Sequence, residues 1–400
     1  MVFRGYRMIR VAFLLGALDQ SWLGGVNYYR GLIYALKTLP HSNIEPVVIT
    51  GSNPSPELTA ALENVEIIRT SLMDRYSALW TVSKICRTLL NIDPLLERFL
   101  LHKNIQAISH APYIGRIPRL LVIGWIPDFQ YKYLPDFFSK AEIQRRNTSY
   151  ESICRNSDAV IASSHSARTD LLTFAPYLKP EQALMLRFTS GIRSGQRIPD
   201  IDTLRQKYNF GEKYFFLPNQ FWMHKNHRLV FEALKILKDQ SESIDVLFTG
   251  NSFDAKNPLF FDNLMTYAEH LGIRQHIHLL GITPYEDLLG LMAHSIALIN
   301  PSLFEGWSTT VEEAKALGKQ LILSDIPVHK EQAPTGTIFF KTTDANTLAK
   351  ALQTTWHQYD RAKDANNLES SLNNADQRWR SYGNDYHHLI TTLVTHKDNV

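Results

Sequence analysis

Short apolar runs alternate with longer amphipathic stretches along the whole chain of 400 residues. In the first half, the apolar runs predict strands over residues 10–16, 45–51, 66–70, 105–110, 120–126, 159–163 and 183–188. The amphipathic stretches predict helices over residues 25–39, 77–101, 140–156 and 166–174. Because these strands are apolar throughout and are separated by helices, they indicate a parallel sheet with both faces covered.

A polar segment rich in glycine, serine and proline, residues 190–199, interrupts this rhythm and is typical of a linker. The alternation then resumes with predicted strands over residues 214–218, 245–250, 276–280, 296–300 and 320–324. Helices are predicted between them over residues 226–238, 259–271, 285–293 and 310–317, and a polar helical region follows from about residue 343. Two such units in series predict an α/β protein with two doubly wound, Rossmann-like domains.

The composition supports globular domains and excludes several other classes of protein. Apolar residues make up 44% of the chain and charged residues 20%, which are values of a globular protein rather than a disordered or fibrous one. The 42 basic and 39 acidic residues nearly balance, so nucleic acid is not an expected partner. The basic stretch at residues 140–155 leaves room for peripheral contact with an anionic membrane, although an ordinary surface helix explains it equally well.

Cysteine usage and hydropathy favour a cytoplasmic protein. Cys86 and Cys154 are too few for a disulfide framework and show no metal-ligand spacing. No apolar run approaches the roughly 18 residues that a membrane helix needs. Arginines precede the apolar run at residues 11–18 in the manner of a signal peptide, but Asp19 follows without a convincing cleavage site. We therefore interpret this run as a buried first strand that leads to a glycine turn.

Glu305 and Glu313 stand close together in the sequence but on different predicted elements. Glu305 follows the strand at residues 296–300, so it lies on a loop at the carboxyl end of that strand. Thr310 is a good helix N-cap with Glu313 three residues later, which predicts a capping box and places Glu313 in the first turn of the helix. This edge of an open α/β sheet is where ligands bind.

The residues between the two glutamates present backbone amides at the start of this helix, where the helix dipole favours a diphosphate. A carboxylate beside them can accept paired hydrogen bonds from vicinal sugar hydroxyls. The alternative is that Glu313 only caps its helix and Glu305 is a solvated loop residue; Thr309 with Glu312 offers a second capping pair one residue earlier. Spacing and charge alone favour that alternative, because capping boxes are common in α/β proteins.

Residues 301–318 read Pro-Ser-Leu-Phe-Glu-Gly-Trp-Ser-Thr-Thr-Val-Glu-Glu-Ala-Lys-Ala-Leu-Gly. This segment resembles the donor motif of the retaining glycosyltransferases of the GT-B fold, the glycosyl transferases group 1 family, which includes sucrose synthases and many bacterial polysaccharide glycosyltransferases. Their motif runs proline-serine, two residues, glutamate-glycine, several residues, then glutamate-alanine and a glycine that closes the helix. The resemblance implies two Rossmann-like domains that face each other across a cleft, with a nucleoside-diphosphate sugar as donor substrate.

Further positions carry the same resemblance in the same order. Gly24 and Gly25 follow the first strand and open a helix at Val26, as the glycine turn of the acceptor domain does in this family. Lys225 matches the lysine that neutralises the pyrophosphate, whereas Gln220 stands where most relatives have an arginine. The resemblance therefore implies a positive clamp that is weaker than in those relatives or is completed from elsewhere.

The resemblance also implies the roles of the site residues. Glu313 holds the ribose of the donor, Glu305 contacts the transferred sugar near the reacting carbon, and the amides after Gly306 bind the diphosphate. The expected catalytic residues are Glu305, Lys225 and Asp128. The expected donor-binding residues are Gly25, Asn219, Gln220, Lys225, Gly281, Ile282, Glu305, Gly306, Trp307, Ser308, Thr309, Thr310 and Glu313.

Asp128 is the acceptor-side candidate, as a residue that orients the acceptor hydroxyl or takes its proton. An aspartate that orders the turn after Pro127 is an equally weighted alternative, and Tyr131 stands where relatives carry a histidine. Asp200 and Asp202 resemble the metal-binding pair of the other major glycosyltransferase fold, but they precede a helical pattern and are better explained by helix capping. We expect no catalytic metal and no bound cofactor.

The leading hypothesis is a glycosyltransferase of hexosyltransferase type that moves a sugar from a nucleoside diphosphate to an acceptor hydroxyl with retention of anomeric configuration. Its setting is expected to be bacterial O-antigen, lipopolysaccharide or exopolysaccharide assembly, with a glycan or lipid-linked glycan as acceptor. Three alternatives remain open: an inverting GT-B enzyme, a nucleotide-sugar hydrolase or epimerase on the same scaffold, and a non-catalytic partner subunit.

The expected domain organisation follows from the resemblance and the linker. Residues 1–190 form the acceptor domain, residues 191–210 the linker and residues 211–375 the donor domain. Trp379 and Tyr386 resemble the aromatic positions of a C-terminal helix, residues 376–400, that returns to the first domain in this fold. Core packing would explain both aromatic residues equally well.

Overall fold

The computed structural model describes residues 8–15, 23–55, 59, 62, 65–112 and 114–398. The chain divides into two compact units. The first, unit 1, comprises Met1–Phe188 and Gln377–Val400, and the second, unit 2, comprises Thr189–Asp376. The chain therefore leaves unit 1 once and returns to it for its last segment.

Unit 1 is built on a parallel sheet whose seven described strands correspond to the seven predicted ones. They are β1 (Ile9–Leu14), β2 (Ile44–Thr50), β3 (Glu66–Arg69), β4 (Ala107–Ala111), β5 (Leu121–Trp125), β6 (Ala159–Ala162) and β7 (Ala183–Met185). Their order in the sheet is β3-β2-β1-β4-β5-β6-β7. The order reverses direction between β1 and β4, which is the doubly wound arrangement that the alternation of strands and helices predicts.

The helices of unit 1 correct two expectations. They are α1 (Leu23–Lys37), α2 (Ala78–Leu90), α3 (Pro94–His102), α4 (Gln130–Tyr133), α5 (Lys140–Asn156) and α6 (His165–Phe174). The single helix predicted over residues 77–101 is wrong, because Asn91 adopts a left-handed conformation that ends α2 and Pro94 begins α3. Gly24 and Gly25 lie inside the first turn of α1 rather than in a turn before it. Residues 16–22, which include Asp19, lie outside the described residues.

The C-terminal helix α15 (Ala375–Asp398) supplies part of the core of unit 1. Trp379, Tyr386 and Ile390 are buried in the same cluster as Phe13 of β1 and Leu32 of α1. The first strand is thus buried as expected, and the aromatic residues of the last helix pack on it. No helix among the described residues is long and apolar enough to cross a bilayer.

Unit 2 contains a second parallel sheet with the same winding. Its described strands are β8 (Phe215–Leu217), β9 (Val246–Phe248), β10 (Ile277–Leu279), β11 (Ala297–Asn300), β12 (Gln320–Ser324) and β13 (Ile338–Phe340). Their order is β10-β9-β8-β11-β12-β13, so the winding reverses between β8 and β11. The strand β13 was not predicted.

The helices of unit 2 are α7 (Ile201–Tyr208), α8 (His227–Asp239), α9 (Phe260–His270), α10 (Tyr285–His294), α11 (Thr309–Ala316), α12 (Pro327–Gln332), α13 (Ala345–His357) and α14 (Arg361–Asn373). Residues 191–210, expected as a linker, belong to unit 2, where Ile192 and Leu204 are buried in the core. Asp200 caps α7 by accepting a hydrogen bond of 2.9 Å from the amide of Asp202. This confirms capping as the role of that aspartate pair.

Candidate functional site

The candidate site of unit 2 lies where the winding of its sheet reverses, at the carboxyl ends of β8 and β11. Asn219 follows β8, Asn300 ends β11, and the side-chain amide of Asn219 donates to Asn300 Oδ1 at 3.2 Å. Asn300 Oδ1 also accepts from Ser302 Oγ at 2.7 Å, and its amide donates to Ser308 Oγ at 3.0 Å. This fully buried asparagine therefore fixes the loop between β11 and α11. Such a reversal point is the usual ligand site of a doubly wound sheet.

Lys225 and Glu305 form an ion pair of 2.6 Å at this edge. Their side chains are only 14% and 11% exposed. Lys225 ends a short 3₁₀ turn after β8, and the backbone amide of Leu303 donates to the carbonyl of His224 in that turn at 2.8 Å. Ser302 Oγ also lies 2.7 Å from the same oxygen of Glu305, so its single hydroxyl hydrogen is shared between Asn300 and Glu305. The loops after β8 and β11 thus bring a cation and a carboxylate together.

Burial opposes ionisation of Glu305, but the charge of Lys225, the two nearby histidines and the hydrogen bond from Lys225 together outweigh burial and lower the pKa of this carboxyl to about 2. Those histidines are the partly buried His224 and the fully buried His329. Burial lowers the pKa of His224 to about 3 and that of His329 to about 4. Both rings are therefore neutral near pH 7, and among these four groups Lys225 is the one that carries positive charge.

Glu313 is buried in α11 with only 3% of its surface exposed. Ser190 Oγ donates to its Oε1 at 3.2 Å, and the Tyr285 hydroxyl makes a further hydrogen bond. Burial raises the pKa of Glu313 to about 7, and these two hydrogen bonds only partly oppose that rise. A buried carboxyl with hydroxyl donors around it is suited to exchanging those donors for the hydroxyls of a ligand.

The predicted capping box is wrong. Ser308 precedes α11 as its N-cap without a side-chain capping bond, so Glu313 lies one turn into the helix rather than in its first turn. The reason is that the side-chain amide of Asn300 donates to the hydroxyls of both Ser308 and Thr310. The interpretation of Glu313 as a mere cap is therefore wrong as well.

The backbone segment expected to bind the diphosphate, Gly306 to Thr310, is partly engaged by protein groups. The amide of Ser308 donates to Gln332 Oε1 at 3.1 Å. The amide group of Gln332 in turn donates to the carbonyl of Ser308 at 2.7 Å and to Glu312 at 2.8 Å. A phosphate at Ser308 would have to displace this side chain of α12. Trp307 in the same segment is buried, and the Lys315 amine lies 5.8 Å from the centre of its ring.

Three further predicted residues lie on loops at the same edge of the sheet. Gln220, in place of the family arginine, accepts a hydrogen bond of 2.9 Å from the amide of Asn251 and so ties the loop after β8 to the loop after β9. Gly281 follows β10 with a φ of +68°, and its carbonyl accepts from the amide of Gly250 at 2.9 Å. Ile282 is 67% exposed. A nucleobase could therefore contact this loop without rearrangement of the core.

Two predicted residues belong to unit 1. Gly25 is buried in α1. Asp128 Oδ1 accepts from the amide of Gln130 at 2.9 Å, which is the turn-ordering contact of the alternative interpretation. Within the described residues, no group of three or more His, Cys, Asp or Glu side chains is arranged to hold a metal ion.

Sequence reasoning missed five residues that complete the site. Ser302 is the serine of the motif at residues 301–318, but the motif did not predict its contact with Glu305. The others lie far along the chain from the glutamate that they affect, which no local pattern reveals. Ser190 and Tyr285 hydrogen-bond to Glu313, and His224 and His329 act on Glu305 through charge.

Sequence comparisons match part of the chain. Residues 200–370 fit the family model described as glycosyl transferases group 1. The O-antigen chain mannosyltransferase RfbU of Salmonella typhimurium is 25% identical over 142 residues, which are 36% of this chain and 38% of that protein. The chain thus matches about two-fifths of the length of this curated relative.

Solved structures match both units. Anabaena HepE in complex with UDP and glucose has a TM-score of 0.68 at 16% identity, covering 96% of this chain and 100% of that one. A glycosyltransferase from Rickettsia africae has a TM-score of 0.66 at 15% identity, covering 98% and 99%. The two Rossmann-like units have the GT-B fold. Residues 200–370 are thus similar to the glycosyl transferases group 1 family.

Proposed function

We propose that the chain is a glycosyltransferase that moves a sugar from a nucleoside diphosphate to an acceptor hydroxyl. The observation that carries this proposal is the Lys225–Glu305 ion pair beside the buried Glu313, at the reversal point of the sheet in unit 2. A cation for a diphosphate and two carboxylates for sugar hydroxyls are the groups that such a donor requires. RfbU is an O-antigen mannosyltransferase and HepE was solved with UDP and glucose, which supports a nucleotide-sugar donor.

The ammonium group of Lys225 is assigned to the departing diphosphate. It has three hydrogen-bond donors, of which one is directed to Glu305 and the others remain for a phosphate oxygen. A preorganised cation lowers the barrier by stabilising the charge that develops on the leaving group. Glu305 holds this cation in place and offers a carboxylate to the hydroxyls of the transferred sugar.

Glu313 is assigned to the ribose of the donor. Vicinal ribose hydroxyls donate best to an ionised carboxylate, whereas burial raises the pKa of Glu313 to about 7. Donor binding is therefore coupled to loss of the Glu313 proton. We infer that Ser190 and Tyr285 hold the carboxyl group until the ribose replaces one of them.

The proposed reaction proceeds with retention, as in the family whose donor motif residues 301–318 resemble. The bond between the anomeric carbon and the phosphate oxygen breaks, and its electron pair leaves with the diphosphate. The acceptor oxygen bonds to the same face of the sugar, and its proton passes to the departing phosphate. We propose that no metal ion is required, because Lys225 supplies the positive charge. We also propose that the transfer takes place on the cytoplasmic side of the membrane and that its product is used to build a cell-surface polysaccharide.

A thermal-shift screen against UDP-, GDP-, ADP- and dTDP-sugars tests the donor site. At a concentration 100 times its Kd, the correct donor stabilises the protein by about 2.7 kcal/mol. Glu313→Ala should lose this stabilisation, while Glu331→Ala on the neighbouring helix α12 should keep it. If none of these nucleotide sugars stabilised the protein, the proposal would be contradicted.

The anomeric configuration of the product separates the remaining mechanisms. Proton NMR of the transferred sugar should show an α-linkage from an α-linked donor, and a β-linkage would identify an inverting enzyme. Rapid release of free sugar without acceptor would identify a hydrolase instead. Turnover should be unchanged by excess EDTA, and its loss would refute the metal-independent assignment.

A further inference from the structure

Unit 1 contains a cavity of about 660 Å³ that lies outside the site described above. It is open to solvent on one side and is lined by residues of α4, α5 and α6 and by Phe129, which precedes α4. The lining side chains on which the argument rests are Phe129, Tyr133, Gln144, Asn147, Thr148 and Asp170. A cavity of this size admits a mono- or disaccharide unit.

Asp170 presents a carboxylate oxygen that no described group satisfies. Its Oδ1 accepts a hydrogen bond of 2.5 Å from the Tyr133 hydroxyl. Its Oδ2 is covered from solvent and has no hydrogen-bond partner among the described residues. A covered acceptor without a partner is costly, so a rotation of the Asp170 side chain toward a ligand hydroxyl in the pocket would remove that cost.

Other lining residues offer hydrogen-bond donors and aromatic rings. Asn147 Oδ1 accepts from the Tyr131 hydroxyl at 2.8 Å, so the amide nitrogen of Asn147 is left to donate. Gln144 and Thr148 are exposed on the same helix. The rings of Phe129 and Phe174, which both line the cavity, lie 5.4 Å apart. The same cavity is therefore lined by donors, an acceptor and aromatic rings.

This combination selects a neutral polyhydroxylated ligand. Carboxylate, amide and hydroxyl groups match the hydroxyls of a saccharide, and the aromatic rings match its apolar C–H face. Asp170 and Glu151 disfavour an anion such as a phosphate. Lys132 is the sole cation that lines the cavity, and its amine lies 5.5 Å from the centre of the Phe174 ring.

We propose that this cavity binds a neutral saccharide unit of the acceptor glycan and so holds the acceptor on unit 1. The identity of the ligand as an acceptor rests on the proposed function. On this proposal, residues between 129 and 174 determine which acceptor glycan is bound. Asp128 is the acceptor-side candidate that the sequence itself indicates in this region.

A glycan array of neutral bacterial surface oligosaccharides, probed with the full chain, tests this proposal. The glycan that is retained best is then titrated by calorimetry against three variants. Asp170→Ala removes the covered acceptor and Thr148→Trp fills the cavity, and each should weaken binding at least tenfold. Arg145→Trp adds the same bulk at an exposed position of α5 that does not line the cavity, and it should bind as the wild type does.

The thermal shift induced by the nucleotide sugar is measured on the same variants. It should be unchanged in Asp170→Ala and Thr148→Trp, which also shows that both variants are folded. Retention of no glycan by the wild type, or equal affinity in Thr148→Trp, would overturn the cavity assignment while leaving the donor site intact. Glycan binding without any nucleotide-sugar binding would instead overturn the proposed function and leave the cavity as a saccharide site.

Discussion

Lys225 and Glu305 are both largely removed from water, and this makes their pairing more than a surface contact. Removing two charges from solvent is unfavourable, and a buried pair contributes less to stability than well-packed apolar residues of the same volume. A site that binds a charged donor needs such groups already in place. The pair is therefore best understood as functional, at some expense to stability.

Replacing Lys225 should affect both turnover and stability. Lys225→Met leaves Glu305 without its cation, so we expect turnover to fall on the order of 10²-fold or more and stability to fall by about 3–5 kcal/mol. Steady-state kinetics and chemical denaturation measure the two effects. Lys225→Met with Glu305→Gln should recover most of the stability but none of the turnover. Unchanged turnover in Lys225→Met would remove the role in leaving-group stabilisation.

Glu313 gives the ligand-free protein a specific dependence of stability on pH. Its pKa is raised from 4.5 to about 7 in the folded state, so between these values the folded state binds more protons than the unfolded state. The contribution of this group to stability is therefore full below pH 4.5 and is lost as the pH rises through 7. The loss is on the order of 3 kcal/mol for a shift of this size.

Glu313→Gln tests this account because glutamine cannot ionise. The ligand-free variant should match the wild type at pH 4 and exceed it in stability at pH 8, by up to about 3 kcal/mol. It should also bind the nucleotide sugar more weakly. Denaturation at the two pH values measures the first effect and calorimetry the second. If Glu313→Gln were less stable than the wild type at pH 8, ionisation of the buried Glu313 carboxyl would not destabilise the folded protein, and this account would be wrong.

At the scale of elements, α11 is held by close contacts near its middle and at its C-terminal end. Gly318 follows its last turn with a φ of +64°, and a Cβ there would meet the carbonyl oxygen of Asn367 in α14 at 2.5 Å. Near its middle, Gly191 lies against Ala316 and Glu313 with a φ of +105°. These glycines let the segment before α7 and the helix α14 approach the element that carries Glu313.

Gly318→Ala should therefore be more damaging than the same change at a glycine of similar conformation. Gly281 has a φ of +68°, but a Cβ there would meet nothing within 4 Å. We expect Gly281→Ala to cost about 1–2 kcal/mol, from the conformation alone, and Gly318→Ala to cost more because α14 must also move. Denaturation of the two variants measures the difference. Equal losses would show that α14 adjusts freely to the added methyl group.

Strands and helices were predictable from the sequence where their burial produces a recognisable run of apolar residues. Apolar runs located every described strand but β13. The break between α2 and α3 was missed because it depends on the conformation of Asn91. In the site, the motif at residues 301–318 indicated Glu305 and Glu313, and the wider family resemblance indicated Lys225. The capping box failed because Asn300, which tertiary structure brings close, donates to the Thr310 hydroxyl that would have formed it.

At the scale of the whole molecule, unit 1 is formed by two segments that are far apart in the sequence. The last 24 residues return to unit 1, where Trp379 is buried and its ring meets that of Tyr34 at 5.1 Å. The predicted donor-binding residues all belong to unit 2, apart from Gly25. Each unit has its own core, so damage to one core should be felt mainly in that unit.

Trp379→Ala tests this independence. Loss of a buried tryptophan should destabilise unit 1 by about 3–5 kcal/mol, so hydrogen exchange should accelerate in β1 and α1. Exchange in β8 and β11 should not change, and the nucleotide sugar that stabilises the wild type should still slow exchange in α11. Arg380→Ala, an exposed neighbour on the same helix, should leave both units as they are. Faster exchange throughout unit 2 in Trp379→Ala would show instead that the C-terminal helix stabilises both units as one cooperative body.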